Sequence, residues 1–255
     1  MKNVWIICRK ELRSYFVSPV AYVLLVMFAL LFGWFFWNML GAFVFYSMAS
    51  QMRGEMMPMN INEQIIRQLL GDLNVTALFV IPLMTMRLFA EEKRNGTMEL
   101  LATSPIRDVE VILGKWLAAV ILYIGMLFLT GLNFVFLFKF GNPDWKPLAV
   151  GYLGMLLQAA ALLAIGTFIS SLTRNQIIAG AATFGACLLL FVLGWAGGYE
   201  TSKWAQVLSY MSVTTHMESF AKGVLDTKDA IFYFTVIFLG LFLTARSLES
   251  LRWRS

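Results

Sequence analysis

Four stretches of this chain are apolar over the length that a helix needs to cross the hydrocarbon core of a bilayer, roughly 20 residues. They lie at residues 17–40, 112–138, 148–169 and 177–195, and charged side chains are absent from their centres. Only 14% of all residues are charged, against about 25% in an ordinary soluble domain. Because a water-facing surface needs more charge than this, the sequence predicts an all-α membrane protein that crosses the bilayer several times.

Two further runs are less clean. The run 66–87 includes Asp72, and the run 230–247 is short but contains Arg246, whose long side chain can reach the interface. With both counted, we predict six transmembrane helices in one transmembrane domain that occupies residues 1–255. The first apolar run is too long for the apolar core of a signal peptide, so we expect no cleaved leader.

Basic residues are unevenly distributed between the two sides of the predicted membrane. Six crossings place both termini on one side, and 13 of the 20 lysines and arginines fall on that side. The acidic residues divide almost equally, seven against eight. The positive-inside rule then predicts an inner (cytoplasmic) membrane protein with both termini in the cytoplasm. The net charge of +5 reflects this orientation, so we expect no nucleic-acid partner.

The stretch 3–16 has the periodicity of an amphipathic helix. Its apolar side chains recur every three or four residues, and its basic side chains fall on another face. Such a helix would lie in the cytoplasmic interface, with its aromatic rings among the headgroups and its bases near anionic lipid. The alternative is an ordinary basic flank to the first crossing. The apolar set is Trp5, Cys8, Leu12 and Tyr15, and the basic set is Arg9, Lys10 and Arg13.

The longest charged stretch, residues 90–110, lies between the second and third crossings. Asn95 and Gly96 predict a turn, and Thr97 can cap a short helix that follows it. Ser104 can cap a second helix that runs into the third crossing. We therefore expect a short helix, parallel to the membrane and held between two rigid arms, that passes motion of a cytoplasmic partner into the transmembrane helices. The alternative is a solvated loop whose charges only fix the topology.

Three parts of the chain carry longer motifs. The first is Lys10-Glu11-Leu12-Arg13, near the N-terminus. The second is Phe89-Ala90-Glu91-Glu92-Lys93-Arg94, followed by Gly96-Thr97-Met98-Glu99-Leu100-Leu101. The third is His216-Met217-Glu218-Ser219-Phe220, followed by Gly223-Val224-Leu225-Asp226. Together they resemble the ABC type-2 permease family, and within it the branch that includes the permeases of gliding motility and of nitrous oxide reductase maturation.

The resemblance implies that two such subunits, identical or different, form a pathway, and that an ABC ATP-binding subunit under each of them binds ATP and Mg²⁺. It also implies short re-entrant helices on the outer side at residues 197–229, where an accessory protein would act. The implied ATPase-coupling residues are Glu91, Glu92, Arg94, Gly96, Thr97, Met98, Glu99, Leu100 and Leu101, and the implied residues of the outer segment are His216, Glu218, Phe220, Gly223 and Asp226.

Several catalytic motifs are absent from the sequence. It contains no G-x-x-x-x-G-K-[ST] loop for ATP phosphates, no H-E-x-x-H zinc motif and no G-x-S-x-G nucleophile motif. We therefore expect no enzymatic activity, cofactor or metal site in this chain, and we expect ATP hydrolysis by a partner. Five methionines near the first outer loop carry thioether sulfurs, which are suitable ligands for Cu(I). Adaptable packing at apolar interfaces explains them better. They are Met48, Met52, Met56, Met57 and Met59.

Three functions are compatible with these expectations. The leading one is the membrane-spanning permease subunit of an ATP-driven exporter. The second is an ATP-linked complex that transmits force to an outer-side partner without moving solute. The third is a carrier driven by an ion gradient, which is disfavoured because Asp72 is the only acidic residue within a predicted crossing.

Overall fold

The computed structural model describes residues 2–53, 60–98, 106–141, 143–199 and 202–252. Within these ranges the chain forms helices joined by short turns and contains no strand. Six helical stretches are long and apolar enough to cross a membrane. The prediction of an all-α polytopic membrane protein with six crossings is confirmed.

We number the α-helices in chain order, and a π-helical turn, Asn62–Ile66, leads into the third of them. The helices are α1 (Lys2–Val17), α2 (Pro19–Arg53), α3 (Arg67–Thr85), α4 (Ala90–Arg94), α5 (Asp108–Phe140), α6 (Trp145–Leu172), α7 (Gln176–Tyr199), α8 (Lys203–Tyr210), α9 (Val213–Ala221) and α10 (Thr227–Arg252). The stretches able to cross a membrane are Pro19–Met52, Asn62–Arg94, Asp108–Phe140, Trp145–Leu172, Gln176–Trp195 and Thr227–Ser250.

The first crossing is longer than the run that predicts it. α2 has 35 residues, whereas the predicted crossing ends at residue 40. At 1.5 Å per residue α2 is about 52 Å long, well beyond the roughly 30 Å of the hydrocarbon core. The sequence 41–53 contains no proline, so the backbone hydrogen bonds carry the helix past the predicted end.

α6 is the central helix of the bundle, and it packs against α3, α5, α7, α9 and α10. The second crossing is the most enclosed of the six. In its apolar stretch of 18 residues 72% is buried, whereas only 17% of the corresponding stretch in α7 is buried. The exposed faces of α2, α7 and α10 carry large apolar side chains. Such faces suit lipid or another membrane-embedded chain.

Small residues let the central helices approach closely. A Cβ built on Gly240 of α10 would lie 2.8 Å from the carbonyl carbon of Ala164 in α6. A Cβ built on Gly166 of α6 would lie 2.5 Å from Oγ1 of Thr85 in α3. Real side chains do not approach this closely, so both contacts depend on glycine. Close backbone packing of this kind stabilises helix pairs in lipid, because the hydrophobic effect does not drive helices together there.

Buried polar side chains also tie the central helices together. Gln158 of α6 donates its amide hydrogen to Asn74 of α3. The indole N–H of Trp116 in α5 donates to the carbonyl of Ala160 in α6 at 3.0 Å. Because these groups lie away from water, each bond fixes the register between two helices.

Candidate functional site

α1 lies against the start of α5. A Cβ built on Gly114 would lie 2.8 Å from the Cβ of Ile7, so the two helices touch where glycine leaves room. One turn earlier in α1, the side-chain amide of Asn3 donates to Glu110 at 3.0 Å. The N-terminal half of α1 is therefore held to α5 by both packing and a hydrogen bond.

Tyr15 fixes the other end of α1. Its hydroxyl donates to the carbonyl of Met84 at 3.0 Å, in the last turn of α3, and its ring is buried. Burial raises the pKa of the Tyr15 hydroxyl and of the Cys8 thiol, because their charged forms would lose hydration. The prediction that the aromatic ring of Tyr15 lies among lipid headgroups is therefore wrong. The periodicity marks a buried face, and protein rather than lipid covers it.

The exposed face of α1 combines an aromatic ring with positive charge. Trp5 is 62% exposed, and Arg9, Lys10 and Arg13 are exposed as well. Trp5 thus lies among the bases rather than with the buried members of the predicted apolar set. An aromatic ring beside several bases has the chemistry of a surface that contacts anionic headgroups.

Lys115 of α5 joins three helices through buried ion pairs. Its ammonium nitrogen lies 3.0 Å from Oε1 of Glu11 in α1 and 2.8 Å from Oε1 of Glu92 in α4. The Lys115 side chain is 2% exposed, and each carboxylate side chain is 13% exposed. We call Lys115, Glu11 and Glu92 the Lys115 node. Lys10 adds a longer contact, 3.8 Å from Glu92, which balances the charge of the group.

The Lys115 node resists separation because its ammonium group lies out of water. The Phe89 ring centroid lies 5.4 Å from this nitrogen, close enough for a cation–π contact. Removing one partner of a buried ion pair costs about 3–5 kcal/mol, since the remaining charge is left without compensation. The node therefore keeps α1, α4 and α5 at fixed distances from one another.

α4 is also tied to the end of α6. The hydroxyl oxygen of Ser170 accepts the backbone N–H of Phe89 at 3.1 Å. The carbonyl of the next residue, Ser171, accepts the ammonium group of Lys93. The same carbonyl accepts the hydroxyl of Ser247 in α10 at 3.4 Å. One peptide group thus links α4, α6 and α10.

The predicted coupling residues before residue 98 lie together at the end of α4. Gly96 has φ 73°, a left-handed conformation that favours glycine, and forms the predicted turn. The hydroxyl of Thr97 donates to the carbonyl of Glu92 at 3.4 Å. Arg94 is exposed, while Glu91 pairs with Arg87, the Nε of which lies 2.9 Å from its Oε2. These contacts place the turn directly beside the Lys115 node.

The remaining coupling residues are only partly described. Met98 packs against the hydrophobic core. Glu99, Leu100 and Leu101 lie outside the described residues. Their role in coupling stays a prediction.

The α8–α9 segment folds back toward the bundle, on the face opposite α1. Ser212, between these two helices, lies beside α7, since a Cβ built on Gly194 would be 2.8 Å from Oγ of Ser212. Gly194 precedes the last residue of α7, Tyr199, by more than one helical turn. The turn between α8 and α9 therefore lies beside α7 more than one helical turn before that helix ends. Close to this turn, the carbonyl of Val213 accepts the hydroxyl of Tyr233 at 2.8 Å.

α9 then returns along α6. A Cβ built on Gly154 would lie 2.5 Å from the Cβ of Phe220, so this glycine makes room for the ring. Gly223, with φ 79°, follows α9, and a Cβ there would lie 2.9 Å from Cα of Pro147 near the start of α6. The segment thus descends and returns, as a re-entrant segment does; its depth in the membrane stays a prediction.

His216 of α9 is enclosed between α8 and α10. Its Nδ1 lies 2.7 Å from Oδ1 of Asp229, and its Nε2 lies 2.8 Å from the carbonyl oxygen of Tyr210. The ring stacks on Phe232, with centroids 3.9 Å apart. The side chains of His216 and Asp229 are only 2% and 7% exposed. This histidine is therefore a buried group with a partner at each nitrogen.

The other predicted residues of this segment do not converge on His216. Glu218 is 67% exposed and lies 3.7 Å from Lys222. Asp226 accepts the backbone N–H of Lys228 at 2.9 Å, in the first turn of α10. The five predicted residues share a segment, but each has its own environment.

The residues that carry these contacts but are missing from the predicted sites include the ion-pair members Glu11, Lys115 and Asp229. Lys115 and Asp229 are charges at the edges of apolar runs, and Glu11 lies in the charged stretch before the first run. A charge in such a position needs a partner when it is buried, and this signal marks them as candidates. The partner of each is set by helix packing, which the sequence pattern does not give.

Residues 54–245 match the sequence model of a family described as "ABC-2 family transporter protein". The match covers most of the chain. This chain belongs to the ABC-2 transporter family. The ABC-2 match begins beyond α2, so the Lys115 node connects the matched helices to α1, which precedes them. No curated protein shows a significant match to this ABC-2 chain.

Membership gives the general function. An ABC-2 protein of this kind is a multi-pass permease subunit of an ABC transporter, works with an ATP-binding subunit, and is generally not catalytic itself. Among the residues that the structure describes, no group of three His, Cys, Asp or Glu side chains could hold a metal ion. The sites described above are contacts between helices of the ABC-2 permease.

Proposed function

We propose that this ABC-2 permease is one half of the membrane-spanning part of an ABC exporter, and that it receives work through residues 90–110. Two permease subunits, identical or different, enclose the pathway. An ATP-binding subunit beneath each of them binds ATP and Mg²⁺. Both termini and the coupling segment lie on the cytoplasmic side of the inner membrane.

The distribution of charge supports this sidedness. The face of the bundle with α1 and α4 carries the exposed bases Arg9, Arg13 and Arg94. Positive residues flanking crossings favour the cytoplasm. An ATP-binding subunit is itself cytoplasmic, so the segment that receives it and these bases belong on the same side.

The Lys115 node is the observation that carries the proposal. Glu92 lies at the end of the second crossing, immediately before the coupling turn, and Lys115 lies at the start of the third. Glu11 adds α1, which leads into the first crossing. A buried charge between these elements makes them move together, because separation would leave an ion unpaired out of water.

A displacement of the coupling turn therefore acts on three crossings at once. The push moves α4, and the Glu92–Lys115 pair passes it to α5. The Glu11–Lys115 pair passes it to α1 and so to α2. Closure of the two ATP-binding subunits biases the crossings between inward-facing and outward-facing arrangements, which is the mechanical basis of transport.

Other surfaces suit the remaining partners. The exposed apolar faces of α2, α7 and α10 provide area for the second permease subunit and for lipid. The Trp5 and basic face of α1 suits anionic headgroups. The α8–α9 segment supplies the surface for an outer accessory protein. The direction of transport follows from the resemblance to type-2 exporters.

Substitution of Lys115 by methionine tests the proposal. The permease and its ATP-binding subunit are reconstituted in proteoliposomes, and ATP hydrolysis is compared with that of the ATP-binding subunit alone. We expect Lys115→Met to assemble but to reduce the permease-dependent change in hydrolysis about tenfold, because a buried pair is broken. Full retention of that change in an assembled complex would contradict coupling through Lys115.

Arg246→Gln is the matched control. Arg246 lies 2.8 Å from Glu249 near the same face, but both side chains are exposed, at 63% and 50%. Exposed ion pairs contribute little to stability or geometry. We therefore expect this variant to behave as the unmodified permease.

A further inference from the structure

α3 has one open stripe along an otherwise enclosed crossing. Gly71, Val75 and Phe79 are exposed and follow one another at every fourth position, so they lie on one face of the helix. We call these three residues the α3 stripe. Asp72 lies beside the α3 stripe and is partly exposed. A Cβ built on Gly71 would meet no atom within 4 Å, so the surface next to Asp72 is open.

The Asp72 carboxylate has no partner within the ranges that the structure describes. It takes part in no hydrogen bond and no ion pair there. The nearby hydroxyl of Thr76 donates at 2.8 Å to the backbone carbonyl of Asp72 rather than to its side chain. This carboxylate therefore differs from Glu11, Glu92 and Asp229, each of which pairs with a cationic or imidazole group of the same chain.

Asp72 lies inside the part of α3 that crosses the hydrocarbon. The crossing Asn62–Arg94 has 33 residues and is about 50 Å long, which exceeds the hydrocarbon core by about 20 Å. Asp72 follows Asn62 by about 15 Å along the helix. If the crossing is centred, the carboxylate is about 5 Å inside the boundary on the Asn62 side. A carboxyl group at that depth needs either a proton or a cation to offset its charge.

The neighbouring surface shows which kind of cation suits this place. Val75 and Phe79 continue the surface beyond Asp72, and the Phe79 ring lies 5.4 Å from the ring of Phe184 in α7. An inorganic cation needs several oxygen ligands, and no group of three acidic or other metal-binding side chains occurs in the described part of the chain. An ammonium group on an apolar chain needs only one carboxylate, and its chain can lie on Val75 and Phe79.

We propose that Asp72 and the α3 stripe bind the ammonium group and the apolar chain of a cationic amphiphile, and that Asp72 selects cargo of this class. The site lies where α3 meets the open face of α7, so its role in cargo selection rests on the proposed pathway between two permease subunits. The amphiphile is either a free alkylamine or a lipid with an ammonium headgroup. Both offer the same chemistry to Asp72.

Chemical modification of Asp72 tests the site in the assembled complex. Dicyclohexylcarbodiimide is an apolar reagent that modifies carboxyl groups in apolar surroundings, and mass spectrometry of peptides locates the product. In nanodiscs of phosphatidylglycerol we expect Asp72 to be modified, and we expect dodecylamine to slow the modification about tenfold. Dodecanol has the same chain without the charge and should not slow it. Equal protection by dodecanol would overturn the proposal.

Absence of modification would overturn it as well. Asp72 would then be paired with another group of the complex, such as a basic side chain of the second subunit, or lie in water. Nanodiscs that contain phosphatidylethanolamine distinguish the two sources of the ammonium group. Slower modification there, before any dodecylamine is added, would identify the lipid as the ligand, and an unchanged rate with protection by dodecylamine would identify the free amine.

Asp72→Asn removes the charge with little change of shape. Binding is followed by the fluorescence anisotropy of a long-chain diamine that carries dansyl on one nitrogen. We expect Asp72→Asn to weaken binding about tenfold or more. The matched control is Glu218→Gln, which removes one acidic charge from a side chain that is 67% exposed and should leave binding unchanged. Equal affinity of the Asp72→Asn variant and the unmodified permease would refute the site.

The binding experiment is separate from the test of coupling. It needs no nucleotide, so Lys115→Met should bind the dansyl amine as the unmodified complex does. Loss of coupling with intact binding would therefore concern Lys115 alone, and intact coupling without binding would concern Asp72 alone. If Asp72→Asn fails to assemble, protection of the unmodified carboxyl group from the carbodiimide decides the matter.

Discussion

The ammonium nitrogen of Lys115 lies 2.8 Å from Oε1 of Glu92, away from water, where the start of α5 meets α4. These two helices are the arms on either side of the turn at Gly96. The contact bridges the arms at their base, so neither can move independently of the other. It therefore gives a local chemical reason for the stiffness that the proposed coupling requires.

Combined substitution of this pair should be less harmful than the separate changes suggest. Lys115→Met leaves two carboxylates without their buried cation and should lower the free energy of unfolding by about 3–5 kcal/mol. Adding Glu92→Gln removes one of those carboxylates. We expect the double variant to fall short of the summed losses by about 1–3 kcal/mol, measured by denaturant unfolding in detergent. Simple additivity would mean that the two side chains do not interact.

Tyr15→Phe should loosen α1 without changing its helical sequence pattern. The substitution leaves the buried carbonyl of Met84 without its donor, at a cost of about 1–3 kcal/mol. Limited proteolysis should then cleave near α1 faster. Tyr22→Phe is the control, because Tyr22 is 56% exposed and a surface change should stay within about 0.5 kcal/mol. Equal cleavage rates in the two variants would exclude an anchoring role for the Tyr15 hydroxyl.

Gly154→Ala should displace α9. The added methyl group would lie 2.5 Å from the Cβ of Phe220, and overpacking of this kind costs about 1–3 kcal/mol. Amide hydrogen exchange in α9 should become faster. Gly125→Ala is the control, since no neighbouring atom lies within 4 Å of its added carbon. Unchanged exchange in the Gly154 variant would show that α9 does not depend on this contact.

Cys8 should react with alkylating reagents only slowly. Burial raises the pKa of its thiol, so the reactive thiolate forms at a more alkaline pH than in an exposed cysteine. The reference is a Trp5→Cys variant, because Trp5 lies on the exposed face of the same helix. We expect the difference in alkylation rate to be largest near neutral pH and to disappear in denaturant. Fast alkylation of Cys8 in the folded protein would contradict its burial.

The crossings follow from the sequence because hydrocarbon thickness sets a length that apolar runs reveal directly. The end of α2 does not, since a helix continues as long as its backbone hydrogen bonds are unbroken. The face of α1 is an intermediate case. Its periodicity marks Tyr15 as buried, but the covering surface, the last turn of α3, is distant in the chain.

The candidate sites are less accessible to sequence reasoning than the fold. The motif near Glu92 includes one member of the Lys115 node, and Gly96 forms the predicted turn. The partner of Glu92 depends on how α5 packs, and Glu11 is more than 100 residues from Lys115. His216 likewise attracts attention as the only histidine, whereas Asp229 is one of many acidic residues. Pairs of this kind become visible only when the helices are assembled.

The shared carbonyl of Ser171 has a consequence for communication across the bilayer. It accepts both Lys93 from α4 and Ser247 from α10. α10 is continuous from there to the turn that contains Asp229. By thermodynamic reciprocity, if binding at the Asp229 end shifts α10 and with it the contacts at Ser171, a change at those contacts shifts binding at the Asp229 end by the same free energy. Under the proposed function, a partner that binds at the Asp229 end would therefore change how tightly the permease holds its ATP-binding subunit.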